Sequence, residues 1–154
     1  MKEIKLTQGY VALVDDEDFD NVNQFEWHVS KCETKFYARR SLGKRKYQFL
    51  HQFIMGSKWI DHIDDIGLNC QKHNLRKCTN SQNQMNSRPR KNTASKYKGV
   101  SKCSEANRWQ SQIKLSGKIF YLGIFKDEID AAKAYDTKAI ELFGEFAYLN
   151  FQSV

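Results

Sequence analysis

The chain has a single proline, no Cys-x-x-Cys pair and no apolar stretch long enough to cross a bilayer, and each lack removes a class of protein. Apolar residues come in short runs broken by charge, which fills small cores and offers nothing to a membrane. The start, MKEIKLTQGYVALV, has neither the apolar region nor the small-residue cleavage site of a secretory signal, so a cytoplasmic setting is expected. In a reducing compartment the four cysteines, Cys32, Cys70, Cys78 and Cys103, remain thiols. A zinc set of Cys70, His73 and Cys78 can be drawn, but the commoner reading makes Cys78 a small hydrophobe beside Leu75, and no structural zinc is expected. The acidic run Asp15, Asp16, Glu17, Asp18 and Asp20 lacks the central glycine and terminal glutamate of a calcium loop and reads as a solvated turn. Internal repeats and low-complexity tracts are also missing.

What is present is positive charge. With 25 Lys and Arg against 18 Asp and Glu, the net charge of +7 suits a polyanionic partner. Part of the excess is concentrated: between Ser87 and Lys102, Arg88, Arg90, Lys91, Lys96, Lys98 and Lys102 occur with no acidic residue. Such a run is a linker or a nucleic-acid-binding arm.

At 154 residues the chain makes one medium domain or two small ones. Residues 1–50 alternate in short segments (Ile4 and Leu6; Val11 to Val14; Phe25, Trp27 and Val29; Phe36 to Ala38; Tyr47 to Leu50). With turns expected at Gly9, Ser30-Lys31 and Leu42-Gly43, these predict small antiparallel hairpins. Residues 51–88 form a second segment, in which Leu75 to Cys78 reads as a strand, Thr79 as an N-cap and Asn80 to Ser87 as a polar helix. A basic linker, 89–96, leads to 97–151, where Gly99 to Lys102, Arg108 to Leu115 and Lys118 to Phe125 read as three strands. A helix follows, capped by Asp127, with an apolar face of Ala132, Tyr135, Ala139, Leu142 and Phe143, and ends at Gly144. The fold class is α+β.

The middle segment holds the residues with chemistry. Phosphodiester hydrolysis needs an activated oxygen nucleophile, an offset phosphate charge and a stabilised leaving oxygen, and a histidine base with one divalent ion supplies all three. Asp61 and Asn83 offer hard oxygens suited to Mg²⁺, and His62 is basic near neutral pH. Neighbours in a strand point to opposite sides, so aiming Asp61 and His62 at one phosphate asks for a bend, for which Asp64-Asp65-Ile66-Gly67 is the candidate. For His28, His51 and His73 a structural role is the expectation.

The pattern Ile60-Asp61-His62-Ile63, then Asn74-Leu75-Arg76, then Thr79-Asn80-Ser81-Gln82-Asn83, resembles the HNH endonucleases of the ββα-metal fold, particularly phage and intron-encoded homing enzymes. The resemblance covers about 40 residues, and its specificity lies in residue types and spacings matching together. It implies that Asp61 and Asn83 hold Mg²⁺ or another divalent cation such as Mn²⁺. His62 is then the general base, and Asn74 ties the strands together and orients the histidine's backbone. Two departures stand out: Asn69-Cys70-Gln71 where Asp-Asn-Arg is usual, and His51-Gln52 where His-Arg is common.

A second resemblance covers nearly all of 97–151. Tyr97-Lys98-Gly99-Val100, Arg108-Trp109, Gly117-Lys118, Tyr121-Leu122-Gly123, Ala134-Tyr135-Asp136 and Leu149-Asn150-Phe151 resemble the Apetala-type DNA-binding domain of plant ethylene-responsive factors. That domain implies a three-stranded sheet in the major groove of double-stranded DNA, backed by a helix. By alternation Gln110, Gln112, Lys114 and Tyr121 face DNA, joined by Lys98 and Lys102, while Trp109 and Tyr135 fall on the core side. Arg88, Arg90 and Lys91 are expected to track phosphates.

The expectation is therefore a homing-type, metal-dependent DNA endonuclease in a bacterial or phage-infected cell, a monomer with a dimer as the alternative. The competing reading is a non-catalytic, sequence-specific DNA-binding regulator with a degenerate HNH segment.

Overall fold

The computed structural model describes residues 1–32, 35–89, 93–104 and 107–151. The described residues mix α and β, with small antiparallel sheets and four α-helices. The chain divides after Asn80 into two compact units, Met1–Asn80 and Ser81–Val154. None of the described helices is long and apolar enough to cross a membrane.

In the first unit, β1 (Lys2–Lys5) and β2 (Val11–Val14) pair around the predicted turn at Gly9. A three-stranded sheet follows: β3 (His28–Cys32), β4 (Lys35–Gly43) and β5 (Lys46–Phe49). Two expected turns are displaced. Ser30 and Lys31 lie inside β3, paired with Tyr37 and Phe36. The next reversal is at Lys44-Arg45, both at positive φ, rather than at Leu42-Gly43. A two-residue hairpin turn with both φ positive usually carries Asn-Gly, and this one does so with long cations, which hid it.

The acidic run is a helix, α1 (Asp16–Asn23), not a solvated turn. It buries Val22, whose carbonyl accepts the indole N–H of the buried Trp27 at 2.9 Å. Asp15, at its N-terminal end, accepts the Lys72 backbone N–H at 2.7 Å and the Gln71 amide at 3.2 Å. The Lys72 N–H, which favours the ionised form, holds the Asp15 carboxyl below the ordinary aspartate value. A second helix, α2 (Leu50–Met55), starts at Leu50, the expected last residue of a strand, and runs through a segment for which no helix was expected. Ile4, Val14, Val22, Trp27, Ala38, Leu50, Ile60, Cys70 and Leu75 share one core. Truncating a fully buried side chain of this size, such as Trp27, costs about 3–5 kcal/mol.

Across this core runs a two-stranded sheet, β6 (Ile60–His62) with β7 (Leu75–Lys77). The loop between them is docked on β2: Leu13 donates to the Leu68 carbonyl at 2.9 Å and accepts from the Cys70 N–H at 2.8 Å.

The second unit begins with α3 (Asn80–Met85), a shorter helix than expected; only its first residue, Asn80, belongs to the first unit. The sheet of β8 (Val100–Lys102), β9 (Trp109–Leu115) and β10 (Lys118–Phe125) has order β10-β9-β8. On one face lies α4 (Glu128–Phe143), its N-terminus capped by Asp127, which accepts the Ile129 N–H at 2.7 Å. Ala131, Ala132, Tyr135, Ala139 and Phe143 are buried beneath it, with Ile113 and Val100 on the sheet side and Met85 packed alongside.

Candidate functional site

Asp61 and His62 are consecutive in β6, both buried, and they engage different neighbours as strand alternation dictates. Asp61 pairs in register with Arg76 on β7. Arg76 Nε and Nη2 donate to the same carboxylate oxygen, Asp61 Oδ2, at 3.0 and 2.7 Å. Both side chains are largely withdrawn from water, so this is a buried ion pair.

His62 packs among rings. Its imidazole lies 5.8 Å from the Tyr37 ring and stands nearly perpendicular to His51 at 4.8 Å, while His51 stacks on Phe49 at 5.4 Å. Burial pulls the His62 pKa down to about 4, with Asp64, Asp61 and Asp65 opposing the shift and Lys35 adding to it. Burial, helped by His62, takes His51 to about 3. Both imidazoles are therefore neutral at physiological pH, and each keeps a nitrogen able to accept a proton.

Asn74 ends a 3-10 turn at Lys72–Asn74 and braces the loop that leaves β6. Its backbone carbonyl accepts the Ile63 N–H at 2.9 Å, and its side-chain oxygen accepts the Asp64 N–H at 3.0 Å. Its amide nitrogen donates to Asp64 Oδ1 and to the Asn69 carbonyl, each at 2.9 Å. The bend itself lies at Asp65, which has φ 63° and accepts an ion pair from Lys35. Gly67 is required nearby, because a Cβ there would meet the Tyr37 ring and the Phe36 carbonyl.

Asn83 is exposed on α3 in the second unit. Asp61 and Asn83 offer the carboxylate and amide oxygens that a hard cation prefers, so the donor chemistry fits Mg²⁺ or Mn²⁺. Cys70, His73 and Cys78 do not form a ligand group. Among the described residues, the cluster of three nitrogen, sulfur or carboxylate ligands is His51, His62 and Cys70.

The second unit presents a separate surface. On β9, Ser111 and Ile113 are buried, while Gln112 and Lys114 are exposed and Gln110 is half-exposed. Register adds Tyr121 opposite Gln112, Ile119 opposite Lys114, and Ser101 and Ile124 opposite Gln110. The open face thus carries Ser101, Gln110, Gln112, Lys114 and Tyr121, flanked by two exposed isoleucines that alternation alone did not single out. Lys102 is exposed but pairs with Trp109, so it does not share that face. The Lys98 ammonium is turned to the backbone, donating to the Met85 and Ser87 carbonyls at 2.5 and 2.7 Å. Arg88 is exposed; Arg90 and Lys91 lie outside the described residues.

No family model matches the chain. An uncharacterized HNH endonuclease of Acanthamoeba polyphaga mimivirus is 33% identical over 149 residues, covering 93% of this chain and 76% of that protein. The chain belongs to the HNH endonuclease family. This family member also matches the AP2-like ethylene-responsive transcription factors PLT2 of Arabidopsis thaliana (44% over 61 residues) and CRL5 of rice (45% over 60 residues). Those matches cover 38% of the chain but only 11% and 9% of the plant proteins, so the chain carries an AP2-like segment.

For an HNH family chain, reading the sequence alone missed three neighbours of Asp61 and His62: Arg76, Tyr37 and His51. Arg76 had a signal, since it sits opposite Asp61 once β6 and β7 are set antiparallel. Tyr37 and His51 come from a different sheet and from the unforeseen helix, and nothing local marks them.

Proposed function

We propose that this chain is a metal-dependent DNA endonuclease of homing type that hydrolyses phosphodiester bonds and finds its site through the β8-β9-β10 face. The observation that carries the reading is a neutral, buried His62 placed directly after the Asp61 carboxylate, on a strand end braced by Asn74. By the family resemblance, Asp61 would supply a carboxylate oxygen and Asn83 an amide oxygen to a divalent ion such as Mg²⁺ or Mn²⁺, which would offset phosphate charge and stabilise the leaving oxygen. His62 takes a proton from the attacking water as the water oxygen bonds to phosphorus. The sugar oxygen leaves on the opposite side and is protonated by solvent.

The β8-β9-β10 face supports the DNA half of the reading. Glutamine pairs bidentately with adenine and lysine contacts guanine or phosphate, so Gln110, Gln112 and Lys114 supply base readout and Tyr121 supplies contact area. Arg88, Arg90 and Lys91 add phosphate contacts in the linker.

His62→Ala is the deciding variant. It is expected to lower Mg²⁺-dependent cleavage of cognate duplex about 10²- to 10⁴-fold while binding persists; unchanged cleavage removes His62 from the role. The second reading, a DNA-binding regulator without nuclease activity, is favoured by one observation: Arg76 already neutralises Asp61. It predicts sequence-specific binding with no nicking in either Mg²⁺ or Mn²⁺.

A further inference from the structure

His51 is in the first turn of α2, His62 ends β6, and Cys70 lies on the loop docked against β2. The ligand atoms of these three buried side chains all lie within 4.8 Å of one another. The arrangement is anchored from three directions. The Cys70 backbone is fixed by its N–H bond to the Leu13 carbonyl at 2.8 Å. His51 is wedged between Phe49 and Tyr37, and His62 is held in the β6–β7 ladder. His51 Nδ1 has no hydrogen-bond partner among the described residues, although His51 is only 7% exposed. Buried polar atoms are nearly always satisfied, and one that is not points to a missing ligand. The Cys70 thiol makes a long contact to the Gly67 carbonyl, at 3.9 Å, and its sulfur faces the His51 backbone N–H, on the same helix turn as the His51 ring.

Two imidazole nitrogens and a sulfur are a borderline-soft donor set, the opposite of the oxygens that Mg²⁺ requires. Zinc–ligand bonds of about 2.0–2.3 Å place ligand atoms roughly 3.3–3.7 Å apart, so side-chain rotation and a small loop shift close this group onto an ion. Three protein ligands leave the fourth tetrahedral position for water. The cysteine stands where the related pattern has asparagine, so the sulfur belongs to this chain's own departure from that pattern.

We propose that His51, His62 and Cys70 form a binding site for a zinc-class cation, and that filling it withdraws His62 from proton transfer. Binding is without redox change: the Cys70 S–H bond breaks, its proton passes to solvent, and sulfur and two neutral imidazole nitrogens donate to the ion. The binding half stands on the geometry alone, whereas the inhibitory half rests on the nuclease reading above. Hard and soft cations then have opposite effects, Mg²⁺ supporting cleavage and Zn²⁺ silencing it.

Co²⁺ titrated into the full-length, reduced chain without Mg²⁺ tests the site. The expected result is one equivalent bound, with sulfur-to-cobalt charge-transfer absorption and the visible bands of tetrahedral cobalt, both abolished by one equivalent of Zn²⁺. Cys70→Ala removes the sulfur band, and His51→Gln keeps it while weakening binding by about tenfold or more. Absence of a sulfur band in the native chain, or its persistence in Cys70→Ala, overturns the site. If Cys70→Ala does not fold, as judged by circular dichroism, Cys70→Ser replaces it with the same criteria. The inhibitory half is read as the ratio of Mg²⁺-dependent cleavage with and without one equivalent of Zn²⁺, which should fall about tenfold in the native chain and stay level in Cys70→Ala. Equal inhibition of both overturns it. A native chain that never cleaves DNA removes the nuclease reading and the inhibitory half together, while the cobalt titration still decides the site.

Discussion

Asp61 and Arg76 face each other across the β6–β7 pair, and two guanidinium N–H groups converge on a single carboxylate oxygen. Removing one member of such a buried pair leaves an uncompensated charge, whereas removing both does not. Arg76→Ala should therefore lose roughly 3–5 kcal/mol in denaturant unfolding. The double variant Asp61→Asn, Arg76→Ala should be less destabilised than Arg76→Ala alone. If the double variant loses as much as the sum of the two single losses, the pair is not coupled.

Gly99 and Tyr135 set a second test. Gly99 has φ 78°, and a Cβ there would overlap the Tyr135 ring and crowd the Gln112 carbonyl. Gly99→Ala combines left-handed strain with overpacking, for a loss of about 2–5 kcal/mol. Thermal unfolding followed by near-ultraviolet circular dichroism reads it; a native-like midpoint would mean that α4 does not sit on β8 as described.

Lys98 and Lys114 separate holding the fold from holding DNA. The Lys98 ammonium is spent on the Met85 and Ser87 carbonyls, so Lys98→Ala should cost roughly 2 kcal/mol of stability. Lys114, exposed on the open face, should leave stability intact on change to Ala and reduce the log–log salt slope of duplex binding by about 0.9. An unchanged slope for Lys114→Ala would take that face off the DNA.

Tyr135 gives the protein an alkaline limit. Burial, reinforced by the neighbouring Asp136, raises its phenol above the ordinary value of 10.0. The folded state keeps the proton that the unfolded chain releases, so stability is unaffected below about pH 10 and falls above it, by about 1.4 kcal/mol per pH unit. Tyr135→Phe should flatten the loss between pH 10 and 11. A loss of equal steepness in the variant would assign it to other groups.

The strands of the second unit were legible because each alternates cleanly and Ser116-Gly117 marks one turn between them; the structure follows those bounds to within a residue or so. The first hairpin was legible for the same reason. By contrast α2 has six residues, too few for a helical period to stand out, and no capping side chain to mark where it leaves β5. Asp61 and His62 stood out by residue type and spacing. Their surroundings did not, because Tyr37, His51 and Cys70 reach them only once a sheet, a helix and a loop have packed. Lys98 and Lys102 show a further limit: a cation near a sheet says nothing of its face until the register is known.

Asn150 bonds to both backbone groups of Lys98, accepting its N–H at 2.7 Å and donating to its carbonyl at 3.1 Å, while Asp136 accepts from Asn150 and from Phe151. The entrance and the exit of the AP2-like segment are therefore stitched side by side. A segment closed in this way is portable: a host chain needs only a short gap in a surface loop to accept it, with no rearrangement of its own core.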